Sequence, residues 1–148
     1  MIIQHITQHD DLLTICAELT HASWGDDNDM AQYKPEHLRT FLADKAHLLV
    51  VGYVDSRIAC SALCYCLHHP DKQRRSLYID ELDTHPAYRR KGYASAMVTW
   101  LQAFAAEHEL PEVWLTTEME DNEAANSFYR AIKPDEELKC NLYSYKAK

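Results

Sequence analysis

Residues 78–94 read YIDELDTHPAYRRKGYA, and within this stretch a strand-like run gives way to the start of a helix. Three consecutive cations at 89–91 precede Gly92, which is one of only three glycines in 148 residues. The first N–H groups of a helix lack intrahelical partners and the helix dipole is positive there, so the junction can hold a pyrophosphate. Gly92 and Ala94 leave room for close approach. The pattern R-x-x-G-x-A predicts a phosphate site or, alternatively, a solvated basic loop.

The rest of the chain places this junction within a regular order of elements. Apolar residues recur at helical spacing in four segments, and short strand-like runs fill six others. Strands are predicted at residues 1–6, 47–54, 58–67, 76–84, 113–117 and 138–145, and helices at 9–22, 35–42, 93–108 and 122–131. The order β-α-α-β-β-β-α-β-α-β predicts an α+β fold with a single mixed, mostly antiparallel sheet flanked by helices.

Composition narrows the class of protein. No linker or repeat divides the chain, so we expect residues 1–148 to form a single domain. Twenty-three acidic and fifteen basic residues give a net charge of -8, which disfavours nucleic acid as a partner and favours small cations. The chain has no run of eighteen apolar residues, and its first residues have neither a basic lead nor a cleavage site. We therefore expect no membrane association and a cytoplasmic location.

The cysteines and histidines favour neither a disulfide framework nor a metal site. Cys60, Cys64 and Cys66 share one parity in a strand-like run, so we expect them on one face of the sheet as small core residues in a reducing compartment. The nine histidines are scattered along the chain, and no metal is predicted.

Two motifs resemble those of one enzyme superfamily. Residues 78–94 resemble the central motif of the GNAT superfamily of acyl-CoA-dependent N-acetyltransferases, in which a strand runs into a pyrophosphate loop. The pattern Asn122-x-x-Ala125-x-x-Phe128-Tyr129 is similar to the second motif of that superfamily. The phrases YIDEL and RRKGYA, with residues 41–67 upstream, are most similar to the aminoglycoside 3-N-acetyltransferases. The resemblance implies acetyl-CoA as cosubstrate and acetyl transfer to a primary amine by direct attack.

The resemblance also implies catalytic roles for two residues. An alkylammonium with a pKa of about 10.4 is almost fully protonated at pH 7, so the reaction benefits from a base. Relatives carry a carboxylate base directly before the leucine of the central strand, and this residue is Glu81 here. Asp80 is the rival base. Simple alternation does not separate the two, because it puts Glu81 with Leu77 and Ile79 on one face and Asp80 on the other, and both faces are mixed. Tyr129 is implied as the acid that protonates the departing thiolate.

Some of these roles have alternatives. Tyr129 can instead pack beside Phe128, and Asn122 can cap the helix rather than contact CoA. Relatives commonly have a glycine turn after the tyrosine, but residues 130–134 read RAIKP. Main-chain N–H groups near Leu82 to Thr84 are implied to hold the oxyanion of the reaction. The residues implied to contact acetyl-CoA are Leu82, Asp83, Thr84, Arg89, Arg90, Lys91, Gly92, Tyr93, Ala94, Ser95 and Asn122.

Acidic stretches border the implied acceptor site. Negative charge there would attract a small-molecule amine such as an aminoglycoside-like polycation, with polyamine, peptide amine or small metabolite as rivals. Solvated acidic loops are the plainer interpretation. The candidate acceptor-binding residues are Trp24, Asp26, Asp27, Asp80, Glu118, Glu120 and Asp121. A non-catalytic acyl-CoA-binding module is the alternative function, and a homodimer is one of the oligomeric states left open.

Overall fold

Secondary structure is described for residues 1–21, 32–70, 74–118 and 122–147 of a computed structural model. These residues fall into two units, Met1–Thr116 and Thr117–Lys148. The first unit contains β1 (Ile2–Ile6), α1 (Leu12–His21), α2 (Pro35–Ala43), β2 (His47–Val54), β3 (Arg57–His69), β4 (Arg74–Thr84), a short 3-10 helix (Pro86–Tyr88), α3 (Tyr93–Glu107) and β5 (Glu112–Leu115). The second contains α4 (Glu123–Ala131). That residues 1–148 form a single domain stays a prediction.

The five described strands form one sheet in the order β1-β2-β3-β4-β5. The first four strands pair antiparallel as a meander, and β5 pairs parallel to β4 after the crossover through α3. This arrangement confirms the predicted α+β fold with a mixed, mostly antiparallel sheet.

Apolar side chains form two core clusters, which share strands β2 and β3 but contain different helices. The first, which we call the α3 cluster, combines Met97, Leu101 and Ala105 of α3 with residues of β2, β3 and β4. The second, the α1–α2 cluster, combines residues of α1 and Leu38 of α2 with Leu49 and other strand residues. Successive strand residues alternate between the two clusters, as expected for a sheet with helices packed against both faces.

The cysteines lie where their parity predicts. Cys60 and Cys64 are fully buried in the α3 cluster, and Cys66 packs against it. Burial raises the pKa of the Cys60 thiol to about 11 and that of Cys64 to about 12. These two thiols therefore stay protonated and behave as small apolar residues.

A bulge in β4 changes which residues share a face. On β3, Leu63 lies opposite Glu81 and the next residue, Cys64, lies opposite Ile79, so Asp80 is an extra residue in β4. The inserted residue reverses the alternation beyond it. Ile79 and Leu82 consequently both contact the α3 cluster, and Leu63 packs against the α1–α2 cluster.

The prediction that Glu81 shares a face with Leu77 and Ile79 is therefore wrong. Cross-strand neighbours identify its actual face, because Glu81 lies opposite Leu63 and Asp83 lies opposite Ser61. Both carboxylates follow the bulge and lie on the α1–α2 side of the sheet.

The strand predicted at residues 138–145 is absent from the described structure. Residues 138–145 are described without helix or strand, although a final strand was predicted there. Alternating apolar residues define a strand only when a neighbouring backbone supplies the ladder hydrogen bonds. Leu142 is instead 95% exposed and Tyr145 is 88% exposed.

The turn after α4 is built without glycine. Lys133 adopts a left-handed conformation with φ of 59°, and its N–H donates to the Arg130 carbonyl oxygen over 3.2 Å. Pro134 follows and cannot continue the helix. The Arg130 guanidinium also donates to both carboxylate oxygens of Glu137, at 2.6 to 3.2 Å, which closes the turn.

Candidate active site

The basic loop ahead of α3 is organised by its own side chains. The Nδ1 atom of His85 accepts a hydrogen bond from the Ala87 N–H over 3.2 Å at the start of the short 3-10 helix. Arg89 Nε donates to the Thr84 carbonyl oxygen over 3.2 Å, and Lys91 Nζ donates to the Ala87 carbonyl oxygen over 2.9 Å. These bonds fix the loop backbone and keep two of the predicted cations beside the start of α3.

Gly92 forms the N-cap of α3 in a left-handed conformation, with φ of 82°. A Cβ atom added there would meet no heavy atom within 4 Å, so the position faces open space. Glycine is favoured for its backbone conformation, because an L side chain is strained at this φ.

The first turn of α3 presents backbone donors to that open space. Tyr93, Ala94 and Ser95 are the first three residues of the helix, where N–H groups lack intrahelical acceptors. Gly92 has no side chain that could cap them. Together with the helix dipole and the adjacent cations, these donors form an arrangement suited to an anion such as a pyrophosphate. We call residues 89–95 the anion cradle.

The edge of β4 is open along its second half. β5 pairs with β4 from Ser76 only as far as Ile79, which lies opposite Leu115. β4 continues to Thr84, so its last five residues have no partner on the β5 side among the described strands. As far as the described strands show, a ligand could add to this edge like a strand along residues 80–84. The predicted oxyanion donor near Leu82 to Thr84 lies on this segment and stays a prediction.

The same segment carries two carboxylates, Glu81 and Asp83, whose side chains lie on the α1–α2 side of the sheet. The pKa of Glu81 is raised, first because of desolvation and then by the negative charges of Asp83 and Asp80. Desolvation also raises the pKa of Asp83, while the Arg89 guanidinium opposes that rise. A carboxylate with a raised pKa accepts a proton more readily near neutral pH. Asp80, the bulge residue between them and Ile79, is exposed, as is Glu81, whereas Asp83 is partly buried.

Tyr33 approaches the same carboxylates from the segment before α2. Its backbone N–H donates to Thr20 Oγ1 of α1 over 3.1 Å, which ties this segment to the helix. The pKa of Tyr33 is raised to about 12, first by desolvation and then by Glu81 and Asp83. The sequence motifs did not predict Tyr33, because its approach depends on the packing of α2 rather than on a local pattern.

An aromatic row crosses the sheet next to Glu81. Cross-strand pairing places His47 opposite Tyr65, Tyr65 opposite Tyr78, and Tyr78 opposite Trp114. The His47 and Tyr65 rings lie 5.1 Å apart, and those of Tyr78 and Trp114 lie 4.5 Å apart. Asp80, the extra residue of the bulge, does not take part in the alternation. Tyr78 and Glu81 are therefore consecutive residues on the α1–α2 face of β4.

Polar ends of the row are held by hydrogen bonds. Trp114 Nε1 donates to Ser76 Oγ over 3.1 Å, and the hydroxyls of Tyr78 and Thr116 lie 3.3 Å apart. Trp114 is 38% exposed, and Tyr65 and Tyr78 are partly buried. The row is therefore a fixed and partly accessible aromatic surface. Sequence reasoning missed it, although aromatic residues on four strands were a usable signal once the register was known.

In the second unit, Asn122 does not cap α4 with its side chain. The capping alternative is therefore wrong. Instead, Asn126 Nδ2 donates to the carbonyl oxygens of Asn122, over 2.9 Å, and Glu118, over 2.7 Å, so the helix start is held by a later residue. Tyr129 is partly buried, with its ring centroid 5.0 Å from that of Phe128. Its role as an acid stays a prediction.

Only two of the predicted acceptor-binding residues, Asp80 and Glu118, lie among the described residues. Glu118 is exposed in the second unit, and Asp80 is exposed in the first. Outside the described residues lie Trp24, Asp26, Asp27, Glu120 and Asp121. Among the described residues, no group of three histidine, cysteine, aspartate or glutamate side chains is placed to hold a metal ion. No described helix is long and apolar enough to cross a membrane.

Comparison with known proteins identifies the family. Residues 11–132 match the acetyltransferase (GNAT) family, and the chain belongs to that family. No curated protein sequence matches the chain significantly.

Solved structures of low sequence identity share the fold. An aminoglycoside acetyltransferase from an uncultured soil metagenomic sample, in complex with sisomicin, has a TM-score of 0.86 at 21% identity, over 99% of this chain and 96% of that chain. A second aminoglycoside acetyltransferase from an uncultured soil metagenomic sample has a TM-score of 0.78 at 19% identity, over 98% of each chain. A ribosomal-protein-alanine N-acetyltransferase from Brucella melitensis biovar Abortus 2308 has a TM-score of 0.72 at 17% identity, over 97% and 98% of the two chains.

Proposed function

We propose that the protein is an acetyl-CoA-dependent N-acetyltransferase that acts on a primary amine of a small cationic acceptor. The observation that carries the proposal is the position of β4. On the α1–α2 side of the sheet this strand holds Glu81, a carboxylate with a raised pKa. At its end the same strand runs into the anion cradle. The proposed base and the proposed phosphate site thus lie on one continuous segment of 15 residues.

The anion cradle fits the pyrophosphate of acetyl-CoA, which supplies the activated acetyl group. The N–H groups of Tyr93, Ala94 and Ser95 would bind the phosphate oxygens, and the open space at Gly92 admits them. Arg89 and its neighbouring cations would balance their charge. The unpaired edge of β4 offers backbone donors and acceptors to the extended pantetheine amide groups.

Glu81 would accept the proton of the acceptor ammonium. Desolvation and two neighbouring carboxylates favour its protonated form, so its proton affinity lies closer to that needed at neutral pH than for an ordinary glutamate. The freed amine then attacks the thioester carbonyl carbon. Tyr129 is the proposed donor of a proton to the leaving thiolate, on the strength of its match to the second family motif.

The aromatic row supports a ring-bearing acceptor of the aminoglycoside type. Aromatic faces attract ammonium groups and also pack against flat apolar faces. The row is adjacent to Glu81, so an amine held at Glu81 would extend its ring over Tyr78 and Tyr65. The net charge of -8 adds a general attraction for polycations. Structural neighbours that are aminoglycoside acetyltransferases agree with this class of acceptor.

The first test is acetyl-CoA binding by calorimetry for the wild type and for Gly92→Glu, which puts bulk and negative charge into the anion cradle. Ala103→Glu is the matched control, because Ala103 is exposed on the same helix, about 16 Å further along at 1.5 Å per residue. We expect binding that Gly92→Glu abolishes and Ala103→Glu preserves. Absence of binding by the folded wild type at millimolar acetyl-CoA would refute the proposal.

The second test separates an enzyme from an acyl-CoA-binding module. Release of free thiol is followed with aminoglycosides, linear polyamines, a peptide amine and buffer alone. Turnover that Glu81→Gln reduces by about 10²- to 10⁴-fold, with acetyl-CoA binding unchanged, supports the enzyme and the base. Tight acetyl-CoA binding without turnover on any amine would favour the non-catalytic module.

A further inference from the structure

The family motif assigns no catalytic role to the side chain of Asp83. The bulge at Asp80 turns Asp83 to the same face as Glu81, and the two are separated by one residue. Their Cβ atoms are therefore about 6–7 Å apart at a strand rise of about 3.3 Å per residue. Asp83 is partly buried and lies directly opposite Ser61, which is only 9% exposed. Asp83 thus lies near the end of β4, opposite a buried residue of the neighbouring strand.

The charged and titratable groups around the two carboxylates come from five parts of the first unit. On β4, Asp80 and Tyr78 flank Glu81, and Tyr65 on β3 is opposite Tyr78. Tyr33, from the segment before α2, interacts with both carboxylates, and Cys16 of α1 interacts with Tyr33. Arg89, from the loop after β4, acts on Asp83 and is anchored to the Thr84 carbonyl oxygen.

Among these groups, Asp83 is linked electrostatically both to Glu81 and to Arg89. After desolvation, the negative charge of Asp83 raises the pKa of Glu81 more than the charge of Asp80 does. The cation that acts on Asp83, Arg89, belongs to the anion cradle. Asp83 therefore stands between the base and the loop that would hold the cosubstrate.

We propose that Asp83 is a positioning residue that acts through Glu81: its carboxylate lies two residues further along the same face of β4 and favours proton transfer from the acceptor ammonium to Glu81. The proposal rests on the proposed function, because it assigns Asp83 a role in the proton transfer to Glu81. Asp83 itself exchanges no proton with the acceptor. Arg89 supports the effect, because its positive charge favours the ionised form of Asp83, so the basicity of Glu81 depends on both residues.

The decisive readout is the titration of the Glu81 carboxyl carbon by NMR in the wild type and in Asp83→Asn, a substitution that keeps the shape and removes the charge. Like charges at this separation shift a titration by roughly half to one pH unit where solvent screens them. We expect the Glu81 midpoint to fall by that amount in Asp83→Asn. An unchanged midpoint would overturn the proposal. Asp83→Ser provides the same comparison if Asp83→Asn does not fold.

Two control variants make the titration specific. Glu107→Gln removes one negative charge from the exposed end of α3 and should leave the Glu81 midpoint within about 0.1 unit, because exposed charges more than a Debye length away are screened. Asp83→Glu restores the charge and should return the midpoint to within about 0.3 unit of the wild type. A midpoint in Asp83→Glu as low as in Asp83→Asn would mean that shape, not charge, sets the titration.

The pH profile of kcat/KM links this titration to catalysis. The acidic limb should move to lower pH by the same half to one unit in Asp83→Asn, whereas a purely structural role would lower the whole profile without moving the limb. The two measurements can fail separately. A wild type without turnover refutes the proposed function but leaves the NMR shift as a test of the Asp83–Glu81 interaction. An active wild type with an unmoved limb refutes only the role of Asp83.

Discussion

Replacing Gly92 by alanine separates the two demands that the anion cradle makes on this residue. The first demand is conformational, since φ is 82° and an L residue is strained there by about 1 kcal/mol. No further steric cost arises in the free protein, because a Cβ atom would have nothing within 4 Å. The free energy of unfolding should therefore fall by only about 1 kcal/mol, which corresponds to roughly 2–4 °C in Tm for a chain of this size.

The second demand is access for a ligand. The open space that makes the substitution mild in the free protein is the space that the pyrophosphate would enter. A methyl group there holds the phosphate oxygens away from hydrogen-bonding distance of the first N–H groups, which require about 2.9 Å. We expect Gly92→Ala to weaken acetyl-CoA binding at least tenfold, or by about 1.4 kcal/mol. Calorimetric titration of the folded variant measures this directly.

Gly52→Ala is the matched comparison. A Cβ atom on Gly52 would lie 2.6 Å from Met1 Sδ and 2.7 Å from Cys60 Sγ, so this substitution overpacks the protein by about 1–3 kcal/mol. Gly52 lies on β2, which β3 separates from β4, and its substitution should leave acetyl-CoA affinity unchanged. The reasoning is refuted if Gly92→Ala binds acetyl-CoA as tightly as the wild type, or if Gly52→Ala loses binding while still folded.

Three further predictions follow from the packing and charge of the first unit. Tyr65→Leu should raise KM about tenfold for ring-bearing amines in the thiol-release assay and leave KM for linear polyamines within twofold; equal changes for both would contradict the aromatic row as a ring-binding surface. Glu81→Gln should raise Tm at pH 7 and not at pH 4, because a carboxyl whose pKa is raised on folding loses stability as pH increases from its unfolded toward its folded value; a Tm difference that is constant with pH would contradict this. Leu101→Ala should lower the free energy of unfolding by about 2–5 kcal/mol in urea denaturation, since Leu101 is fully buried, whereas Leu142→Ala, at a side chain 95% exposed, should change it by less than about 0.5 kcal/mol.

Periodicity predicted the elements whose residues repeat locally. In α3, buried Met97, Leu101 and Ala105 recur at helical spacing, and in β3 the cysteines keep strand parity. The start of α3 at Gly92 was predictable for a different reason. Gly92 directly follows three cations, and this local pattern indicates a helix N-terminus. The Gly92 backbone adopts a left-handed conformation at the N-cap of α3.

Features that depend on a partner elsewhere in the chain were not predictable in the same way. Residues 138–145 carry an alternating pattern, but strand formation also requires a neighbouring edge, which no pattern within the segment specifies. Asn122 has the right chemistry for a cap, yet Asn126 donates to the backbone at that helix start instead. The left-handed Lys133 replaces a glycine at a cost that only the rest of the turn can offset.

The bulge in β4 shows why the candidate site was predictable by residue type and not by geometry. Motif resemblance identified Glu81, but alternation placed it on the face of Leu77 and Ile79, where a carboxylate would enter the α3 cluster. One inserted residue, Asp80, reverses the alternation and brings Glu81 and Asp83 to the other side. The same residue marks the point where β4 loses its pairing with β5. A single interruption of the ladder therefore turns the carboxylates toward the proposed acceptor side and frees the strand edge for the proposed cosubstrate.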